Sequence, residues 1–358
     1  MTLEDYGWSA ARNTELAALT LPDAVPGRIL REYRHRYSVF TTAGILDAEV
    51  TGTFRHHHPR QEDFPAVGDW VALVPVPGEE KGRIHAVLLR KTAFTRPDPG
   101  RTSEMQVMAA NVDTVFLVSG LDGDFNLRRI ERYLTMAYDS GANPVIVLNK
   151  CDLEDDLSTR IAEVEGVAYG VPIHGVSSVS GVGLERIKGY AMPGKTLVCL
   201  GSSGAGKSSL VNALLGNTVM EIGEVREDDS RGRHTTTHRE LFPLPDGGLI
   251  IDTPGIRELQ VSGSGENLQA AFEDVEAYLA NCRFRDCTHS GEAGCAVEAA
   301  LESGELDAKR FDAYQRLQKE IAYTERRHSE NYAYEERKRG KELGKMYKRI
   351  QNEKQNRR

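Results

Sequence analysis

The stretch GSSGAGKS, residues 201–208, constrains the fold of this chain more than any other feature. It matches the pattern G-x-x-x-x-G-K-[ST], and it lies between an apolar run, TLVCLG, and a run with helical character, KSSLVNALLG. In this strand–loop–helix context the pattern binds phosphate, because glycines let backbone N–H groups face the phosphates at a helix N-terminus. A glycine-rich turn without a ligand is the alternative, and the complete pattern disfavours it. The sequence therefore predicts an α/β domain with a nucleotide phosphate site.

Two residues of this loop have chemical roles beyond the shape of its backbone. Lys207 is expected to reach the β- and γ-phosphates and to support catalysis there, and the Ser208 hydroxyl is expected to ligate Mg²⁺. The predicted phosphate-binding residues are Gly201, Ser202, Ser203, Gly204, Ala205, Gly206, Lys207, Ser208 and Ser209.

The segment IIDTPG, residues 250–255, ends a second apolar run. Asp252 is positioned to hold Mg²⁺ directly or through water, and the Gly255 N–H is positioned to sense the γ-phosphate. An Asp-x-x-Gly turn alone is common, but downstream of a phosphate loop it is a strong indication of a nucleoside triphosphatase.

A polar segment, DDSRGRHTTTHRE, lies between the phosphate loop and Asp252. It has no core pattern, as expected for a loop that γ-phosphate and Mg²⁺ order. The spacing does not decide which of three consecutive threonines completes the Mg²⁺ shell, and our assignment is the central one, Thr236. The three candidates are Thr235, Thr236 and Thr237.

Another strand candidate, PVIVLNKCD, ends in Asn-Lys-x-Asp at residues 149–152. Asp152 can accept hydrogen bonds from guanine N1–H and the 2-amino group, and a buried pairing of this kind discriminates against adenine by about 10⁴. The Lys150 stem can lie along the base, and Asn149 can tie this loop to the phosphate loop. When it occurs alone, an Asn-Lys-x-Asp pattern is a helix cap as often as it is a guanine-binding motif. Its position at a strand end favours guanine binding, and the assignment includes Cys151 at the variable position.

The base-reading motif precedes the phosphate loop, whereas an ordinary GTPase has the phosphate loop first. A nucleotide site requires loops that meet at the carboxyl ends of neighbouring strands, in any sequence order. Because domain termini lie close together at the surface, joining them and opening another loop preserves the sheet. The sequence thus predicts a circularly permuted P-loop GTPase domain with a parallel sheet. Its predicted strands are TVFLVSG, PVIVLNK, VPIHGVS, TLVCLGS and GLIIDTPG.

The remainder of the chain divides by composition. Short β-branched runs separated by Gly and Pro indicate a small N-terminal barrel, for which we expect an oligonucleotide/oligosaccharide-binding (OB) fold, with an SH3-like barrel as the alternative. The polar, Pro/Gly-rich segment 95–104 indicates a linker. The predicted organisation is an extension over 1–27, an OB barrel over 28–97, the permuted GTPase domain over 98–262, a mostly α-helical zinc-binding domain over 263–330 and a basic tail over 331–358.

Three of the five cysteines crowd into NCRFRDCTHSGEAGCAVE. With one histidine they form a closed set of four ligands, Cys282, Cys287, His289 and Cys295, suited to one structural Zn²⁺ per chain. Reduced cysteines in a polar surface loop are the alternative, and the density of ligand-type residues favours zinc. The crowding and the odd cysteine count argue against a secreted disulfide framework.

The net charge of −8 hides an uneven distribution. Residues 326–358 contain twelve Lys/Arg and five Asp/Glu, an asymmetry that points to nucleic acid better than the whole-chain balance does. Taken alone, the charge of this segment is explained better by a basic helix end exposed to solvent than by binding of nucleic acid. No apolar run approaches the ~20 residues that a membrane helix needs, and the first residues lack a secretory pattern. We therefore expect a cytoplasmic monomer without a membrane partner.

The motifs NKCD, GSSGAGKSS, GRHTTT and DTPGIRE follow a barrel and precede a Cys/His cluster. In this combination the chain resembles the ribosome small-subunit-dependent GTPase A family over nearly its whole length. The resemblance implies binding of GTP and GDP at residues 149–152 and 201–209, a zinc site and contact with 16S rRNA of the 30S subunit. It also implies GTP hydrolysis that the small subunit stimulates during its late maturation. Little is carried over onto the extension or onto the tail beyond 330.

None of these motifs supplies the residue that positions the attacking water. Ras-type GTPases orient the attacking water with a glutamine after the Gly of Asp-x-x-Gly, and here that position is Ile256. We expect His234 to position the water; contact with RNA or solvent is the alternative. A GTP-gated RNA-binding module with little hydrolysis remains open, although Lys207, Ser208 and Asp252 argue against it. A P-loop small-molecule phosphotransferase also remains open, although NKCD argues against it.

Overall fold

The structure is a computed structural model, and it describes residues 1–33, 36–98, 101–123, 125–216, 239–252, 265–323 and 326. The strands are β1 Val25–Glu32, β2 Tyr37–Thr41, β3 Gly44–Val50, β4 Trp70–Pro75, β5 Lys81–Val87, β6 Ala93–Asp98, β7 Arg101–Ala110, β8 Thr114–Gly120, β9 Asn143–Asn149, β10 Ile173–Val176, β11 Thr196–Gly201, β12 Glu240–Pro243 and β13 Leu249–Asp252. The helices are α1 Ala10–Ala18, α2 Gly52–His57, α3 Leu127–Ser140, α4 Leu157–Glu165, α5 Leu184–Lys188, α6 Lys207–Leu215, α7 Gly265–Ala271, α8 Glu273–Leu279, α9 Ala296–Ser303 and α10 over 308–323.

The first five strands form a closed barrel. β1 pairs with both β2 and β4, and the order β1-β2-β3-β5-β4 returns to β1, with β3 and β5 parallel. The interior is filled by apolar side chains that are completely buried, among them Ile29, Val39, Leu73 and Ile84. A five-stranded barrel of this kind with α2 between β3 and β4 has the OB arrangement, so the barrel prediction is confirmed. Its first strand begins at Val25, inside the predicted extension.

The predicted linker over 95–104 is wrong. This region lies in an antiparallel hairpin formed by β6 and β7. At the base of the hairpin, Phe94 and Met108 are buried and belong to the main core. The Pro/Gly-rich sequence that suggested a linker includes residues of both strands, and the apolar residues on either side hold the hairpin on the domain.

The GTPase domain is built on a sheet with the order β10-β9-β8-β11-β13-β12. The first five of these strands are parallel, and β12 joins antiparallel to β13. All five strands that the sequence predicts are present. Strands β8 and β11 are almost wholly buried, because apolar cores cover both faces of the sheet. This is why these strands read as continuous apolar runs rather than as alternating ones.

The C-terminal helices pack against α3 of the GTPase domain. Arg310 on α10 is the centre of this contact: it donates to Glu131 Oε1 of α3 at 2.8 Å and to Asp274 Oδ1 of α8 at 2.8 Å. Its guanidinium also lies 4.0 Å from the ring centre of Phe272. Arg310 and Glu131 are both buried, so the two regions are fixed to each other by a satisfied internal ion pair.

The barrel contacts the GTPase sheet directly. β1 pairs with β12 at Arg31 and Glu240, and Arg239 Nη1 donates to Glu32 Oε2 at 2.9 Å. The N-terminal segment reinforces this contact, because Arg12 of α1 is buried and its Nη2 donates to Asn111 Oδ1 at 2.8 Å. Within the described part of the chain, none of the helices has the length and apolarity that crossing a membrane requires.

Candidate nucleotide and metal sites

The predicted nucleotide-binding loops meet at one edge of the parallel sheet. Gly120 at the end of β8 is in register with Asn149 at the end of β9, and Val118 is in register with Gly201 at the end of β11. Val176, which ends β10, is in register with Asn149 on the other side. Segments far apart in the sequence therefore leave the sheet side by side, which is where α/β proteins bind nucleotides.

The phosphate loop folds between β11 and α6 as the pattern predicts. Gly206 has φ +88° and immediately precedes α6, which begins at Lys207. The Lys207 ammonium donates to the carbonyl oxygen of Gly201 at 2.8 Å and also to that of Ser202. The lysine thus lies across the loop with its charge on the side where phosphate oxygens are expected. Ser208 and Ser209 are in the first turn of α6 and are half-buried.

Asn149 joins the base loop, residues 149–152, to the phosphate loop, residues 201–208. Its Nδ2 donates to the Ala205 carbonyl oxygen at 3.0 Å, and its Oδ1 accepts from the Ser178 backbone N–H at 3.2 Å and from the Ser178 hydroxyl at 2.9 Å. Asn149 is 1% exposed, so all these hydrogen bonds are made inside the protein. A Cβ at Gly206 would lie 2.2 Å from Asn149 Nδ2, which explains why glycine is required there.

The remaining base-loop residues lie at the surface of the site. Lys150 has φ +61°, and its ammonium forms an ion pair with Asp122, which lies in the loop after β8. Asp152 lies in a single 3₁₀ turn over Cys151–Leu153 and is exposed. The helix-cap alternative for Asp152 is wrong, because the N-cap of α4 is Asp156, whose side chain accepts from the Thr159 N–H at 3.1 Å.

The two cysteines of this domain are not reactive groups. Burial raises the pKa of Cys199 to about 12, and its position in β11 makes it a core residue. Burial, and then the charge of Asp152, raise the pKa of Cys151. Both thiols therefore stay protonated at neutral pH, and neither is suited to nucleophilic chemistry.

Asp252 is the last residue of β13 and is half-buried. β13 is the direct neighbour of β11, so Asp252 and the phosphate loop leave the sheet in parallel. The remaining predicted residues of this part of the site lie outside the described residues: Thr235, Thr236, Thr237, His234, Gly255 and Ile256. The basic tail over 331–358 lies outside them as well.

Sequence reasoning missed two residues of the candidate nucleotide site. Asp122 occurs in the run SGLDGDFN, which carries no recognised motif; the signal was its position directly after a predicted strand that neighbours the base loop. Ser178 lies directly after another predicted strand, VPIHGVS, and its side chain supports Asn149.

The four predicted metal ligands come together. The ligand atoms of Cys282, Cys287, His289 and Cys295 all lie within 4.8 Å of one another. His289 Nδ1 is 3.7 Å from Cys282 Sγ and 3.5 Å from Cys295 Sγ. Tetrahedral zinc with Zn–S near 2.3 Å and Zn–N near 2.0 Å places its ligand atoms about 3.5 to 3.8 Å apart, so the group has the size of one zinc coordination shell.

The surroundings of the cysteine group fix its shape. Cys295 is the N-cap of α9, and its Sγ accepts from the Glu298 N–H at 3.4 Å. The His289 ring packs edge-on against Phe311 of α10, with 5.8 Å between ring centres. The loop that carries the four ligands is therefore attached to the same helix that binds the GTPase domain.

Three comparisons with known proteins agree with this geometry. Residues 87–262 match the family model described as RsgA GTPase. The chain is 46% identical over 352 residues to a protein of Opitutus terrae named small ribosomal subunit biogenesis GTPase RsgA, covering 96% of each chain. It is 44% identical to a protein of Oceanobacillus iheyensis named small ribosomal subunit biogenesis GTPase RsgA 1, covering 90% of this chain and 92% of the relative.

Two solved structures are similar to this fold. The crystal structure of YjeQ from Thermotoga maritima is 29% identical with a TM-score of 0.63, over 84% of this chain and 99% of that one. The crystal structure of YloQ, which its description calls a circularly permuted GTPase, is 26% identical with a TM-score of 0.60, over 84% of this chain and 95% of that one.

Proposed function

Because the chain belongs to the RsgA GTPase family, we propose that it is a GTP-hydrolysing factor in the biogenesis of the small ribosomal subunit. The observation that carries the proposal is the convergence of the base loop, the phosphate loop and Asp252 at one sheet edge, joined by the buried Asn149. A loop that reads guanine and a loop that holds phosphates are then held at a fixed separation, as hydrolysis of one nucleotide requires.

The nucleotide roles follow from the chemistry of each side chain. Asp152 accepts the two guanine donors, and its exposure leaves it free to meet a ligand that arrives from solvent. Lys207 neutralises charge on the β- and γ-phosphates. The full set of proposed GTP-binding residues is Asn149, Lys150, Cys151, Asp152, Gly201, Ser202, Ser203, Gly204, Ala205, Gly206, Lys207, Ser208, Ser209, Asp252 and Gly255.

Magnesium fits the oxygen groups next to the phosphate loop. Ser208 at the start of α6 and Asp252 at the end of β13 supply a hydroxyl and a carboxylate, which are ligands that Mg²⁺ prefers. Thr236 is proposed as the third protein ligand and His234 as the group that orients the attacking water, on their positions in the sequence. When bound, the ion offsets the charge that develops on the phosphate oxygens; the residues of the chain fix where those oxygens lie.

The Cys/His group is proposed to hold one structural zinc ion. The support is the donor set of three sulfurs and one imidazole nitrogen, the spacing of the ligand atoms, and the helix N-terminus at Cys295. Four protein ligands complete a tetrahedron and leave no position for a water, so the site is suited to holding the loop and not to catalysis. The domain division from the sequence is retained as a proposal, with the barrel beginning at Val25.

The partner is proposed to be the 30S subunit, with 16S rRNA as the contacted component. The OB fold is a known nucleic-acid binder, and the basic tail adds a cationic segment suited to phosphate. We further propose that the protein works in the cytoplasm as a monomer. Contact with a large ribonucleoprotein would explain why the catalytic glutamine of Ras-type enzymes is replaced by Ile256. In this proposal the partner orders the polar segment DDSRGRHTTTHRE, which contains Thr236 and His234.

The test is GTP turnover measured as phosphate release against the concentration of 30S subunits, with 50S subunits and with ATP as controls. The protein alone should turn over at about 10⁻⁴ to 10⁻² s⁻¹, and only 30S should raise the rate. Equal stimulation by 50S would contradict the small-subunit assignment. GTP-dependent binding to 30S without hydrolysis would favour the RNA-binding module, and ATP turnover would contradict guanine specificity. Lys207→Ala should abolish the signal in every arm.

A further inference from the structure

We propose that Asp122 is a positioning residue of the guanine site, which fixes the Lys150 side chain along the face that the base occupies. The proposal rests on the nucleotide site described under the proposed function and names a residue that none of the nucleotide motifs contains. It is carried by the ion pair between Asp122 and Lys150 together with the backbone geometry on both sides of it.

The two residues are brought together by the sheet. Gly120 and Asn149 are in register on the neighbouring parallel strands β8 and β9, and the residues that follow leave the same edge. The Leu121 N–H donates to the Asn149 carbonyl oxygen at 2.8 Å. The loop that carries Asp122 is therefore bonded to the base loop by its backbone as well as by its side chain.

Lys150 has a backbone conformation that its neighbours must support. Its φ of +61° lies in the left-handed region, which is uncommon for a residue other than glycine. A Cβ built on Gly206 would lie 4.0 Å from Lys150 Cε, so the end of the stem runs past the last glycine of the loop.

Asp122 lies against the same part of the phosphate loop. A Cβ at Gly120 would come within 3.0 Å of Asp122 Oδ1 and 3.5 Å of the Cα of Ala205. The carboxylate is thus folded over the end of β8, next to the loop, and holds the ammonium at the far end of the lysine stem. Glycine at position 120 leaves the space for this arrangement.

The consequence is a preorganised apolar stem beside the base. A lysine side chain has several rotatable bonds and loses rotamer freedom when it is held in one conformation. If Asp122 holds the Lys150 side chain in place before the nucleotide binds, the entropy of that side chain does not fall further on binding. Both side chains are about one-third exposed, so the pair adds little to folding stability.

The experiment is a double-mutant cycle read as GDP affinity by titration calorimetry. Asp122→Asn should weaken GDP binding about fivefold to tenfold, which is less than the roughly 13-fold to 30-fold of a complete lysine restraint because the pair is partly exposed. In a Lys150→Met background the same substitution should change affinity less than about twofold, because there is no ammonium to hold. Asp122→Glu should retain most of the affinity. A matched control, Glu185→Gln, breaks the exposed Lys188–Glu185 pair of α5 and should change nothing.

Three readouts separate positioning from a structural role. In Asp122→Asn the KM for GTP should rise while kcat at saturation stays within about twofold, the preference for guanine over xanthine nucleotides should persist, and the melting temperature of the free protein should match that of the control. Unchanged GDP affinity in Asp122→Asn, or an equal loss in the Lys150→Met background, would overturn the proposal. Failure of the wild-type protein to bind GDP would instead overturn the nucleotide site itself.

Discussion

Two glycines of the phosphate loop should respond differently to the same substitution. Gly204 has φ +83° and Gly206 has φ +88°, so alanine at either position costs about 1 kcal/mol for a left-handed backbone. A Cβ at Gly204 meets nothing within 4 Å, whereas a Cβ at Gly206 would lie 2.2 Å from Asn149 Nδ2. Gly206→Ala must therefore also displace the Asn149 side chain, whereas Gly204→Ala leaves that side chain in place.

The additional cost can be worked out from the hydrogen bonds of Asn149. Displacing the amide breaks its bond to the Ala205 carbonyl and its bonds from Ser178, and each such bond contributes about 1 kcal/mol. Gly206→Ala should thus be destabilised by about 2 to 3 kcal/mol more than Gly204→Ala. For a domain of this size, 1 kcal/mol shifts the melting temperature by about 2 to 4 °C, so the difference should be about 4 to 12 °C.

The assay is thermal unfolding of both variants without nucleotide, followed by circular dichroism. The free protein is needed because a bound phosphate would meet any Cβ at Gly204 and obscure the comparison. Equal melting temperatures for the two variants would refute the argument that Asn149 fixes the distance between the loops. A larger loss in Gly204→Ala would refute it as well.

Three further predictions concern the parts that hold the site. Arg310→Met should destabilise the protein by about 3 to 5 kcal/mol in urea unfolding, because it leaves the buried Glu131 without a partner, whereas Arg316→Met, at an exposed pair, should cost less than about 1 kcal/mol. Hydrogen bonds from Ser158 and Thr159 lower the pKa of Asp156 to about 2, below its ordinary 3.8; its stabilising effect is therefore present at neutral pH and is lost as pH falls from about 3.8 through about 2. The melting-temperature difference between wild type and Asp156→Ala should shrink over that range, with Asp156→Asn, which retains a cap, as the control. Metal analysis should find about one zinc per chain, and Cys287→Ser should lose it and melt the C-terminal helices while GDP binding survives, whereas Cys151→Ser should keep the metal.

The motifs of the sequence predicted the nucleotide site well because each motif is a local backbone shape tied to one chemistry. GSSGAGKS has few conformations open to it once a strand precedes it and a helix follows it. The five apolar runs could be assigned to a parallel sheet because burial on both faces removes alternation. The meeting of the loops at one edge followed from the requirements of a nucleotide site, whereas the order of the strands in the sheet was not predicted.

Contacts between distant segments could not be predicted in this way. Asp122 reaches Lys150 only because β8 and β9 are neighbours in register, and no local pattern encodes that register. Arg310 is one of many arginines in polar helices, and its burial depends on how α10 packs against α3. The hairpin over β6 and β7 was mistaken for a linker because the sequence over 95–104 is polar and rich in Pro and Gly, while the residues that anchor it, Phe94 and Met108, lie on either side of that range.

The central claim is that residues 149–152 and 201–209 form one guanine-nucleotide site despite their reversed order. Its most direct test is calorimetric titration of GDP and XDP into wild-type protein and Asp152→Asn. Wild type should bind GDP and reject XDP. Asp152→Asn should lose GDP affinity by about 100-fold or more, since hydrogen bonds to a charged group contribute about 1.5 to 3 kcal/mol each. The variant should also gain affinity for XDP, because the amide can donate to the 2-oxo group of xanthine. Unchanged GDP affinity in Asp152→Asn would contradict the account.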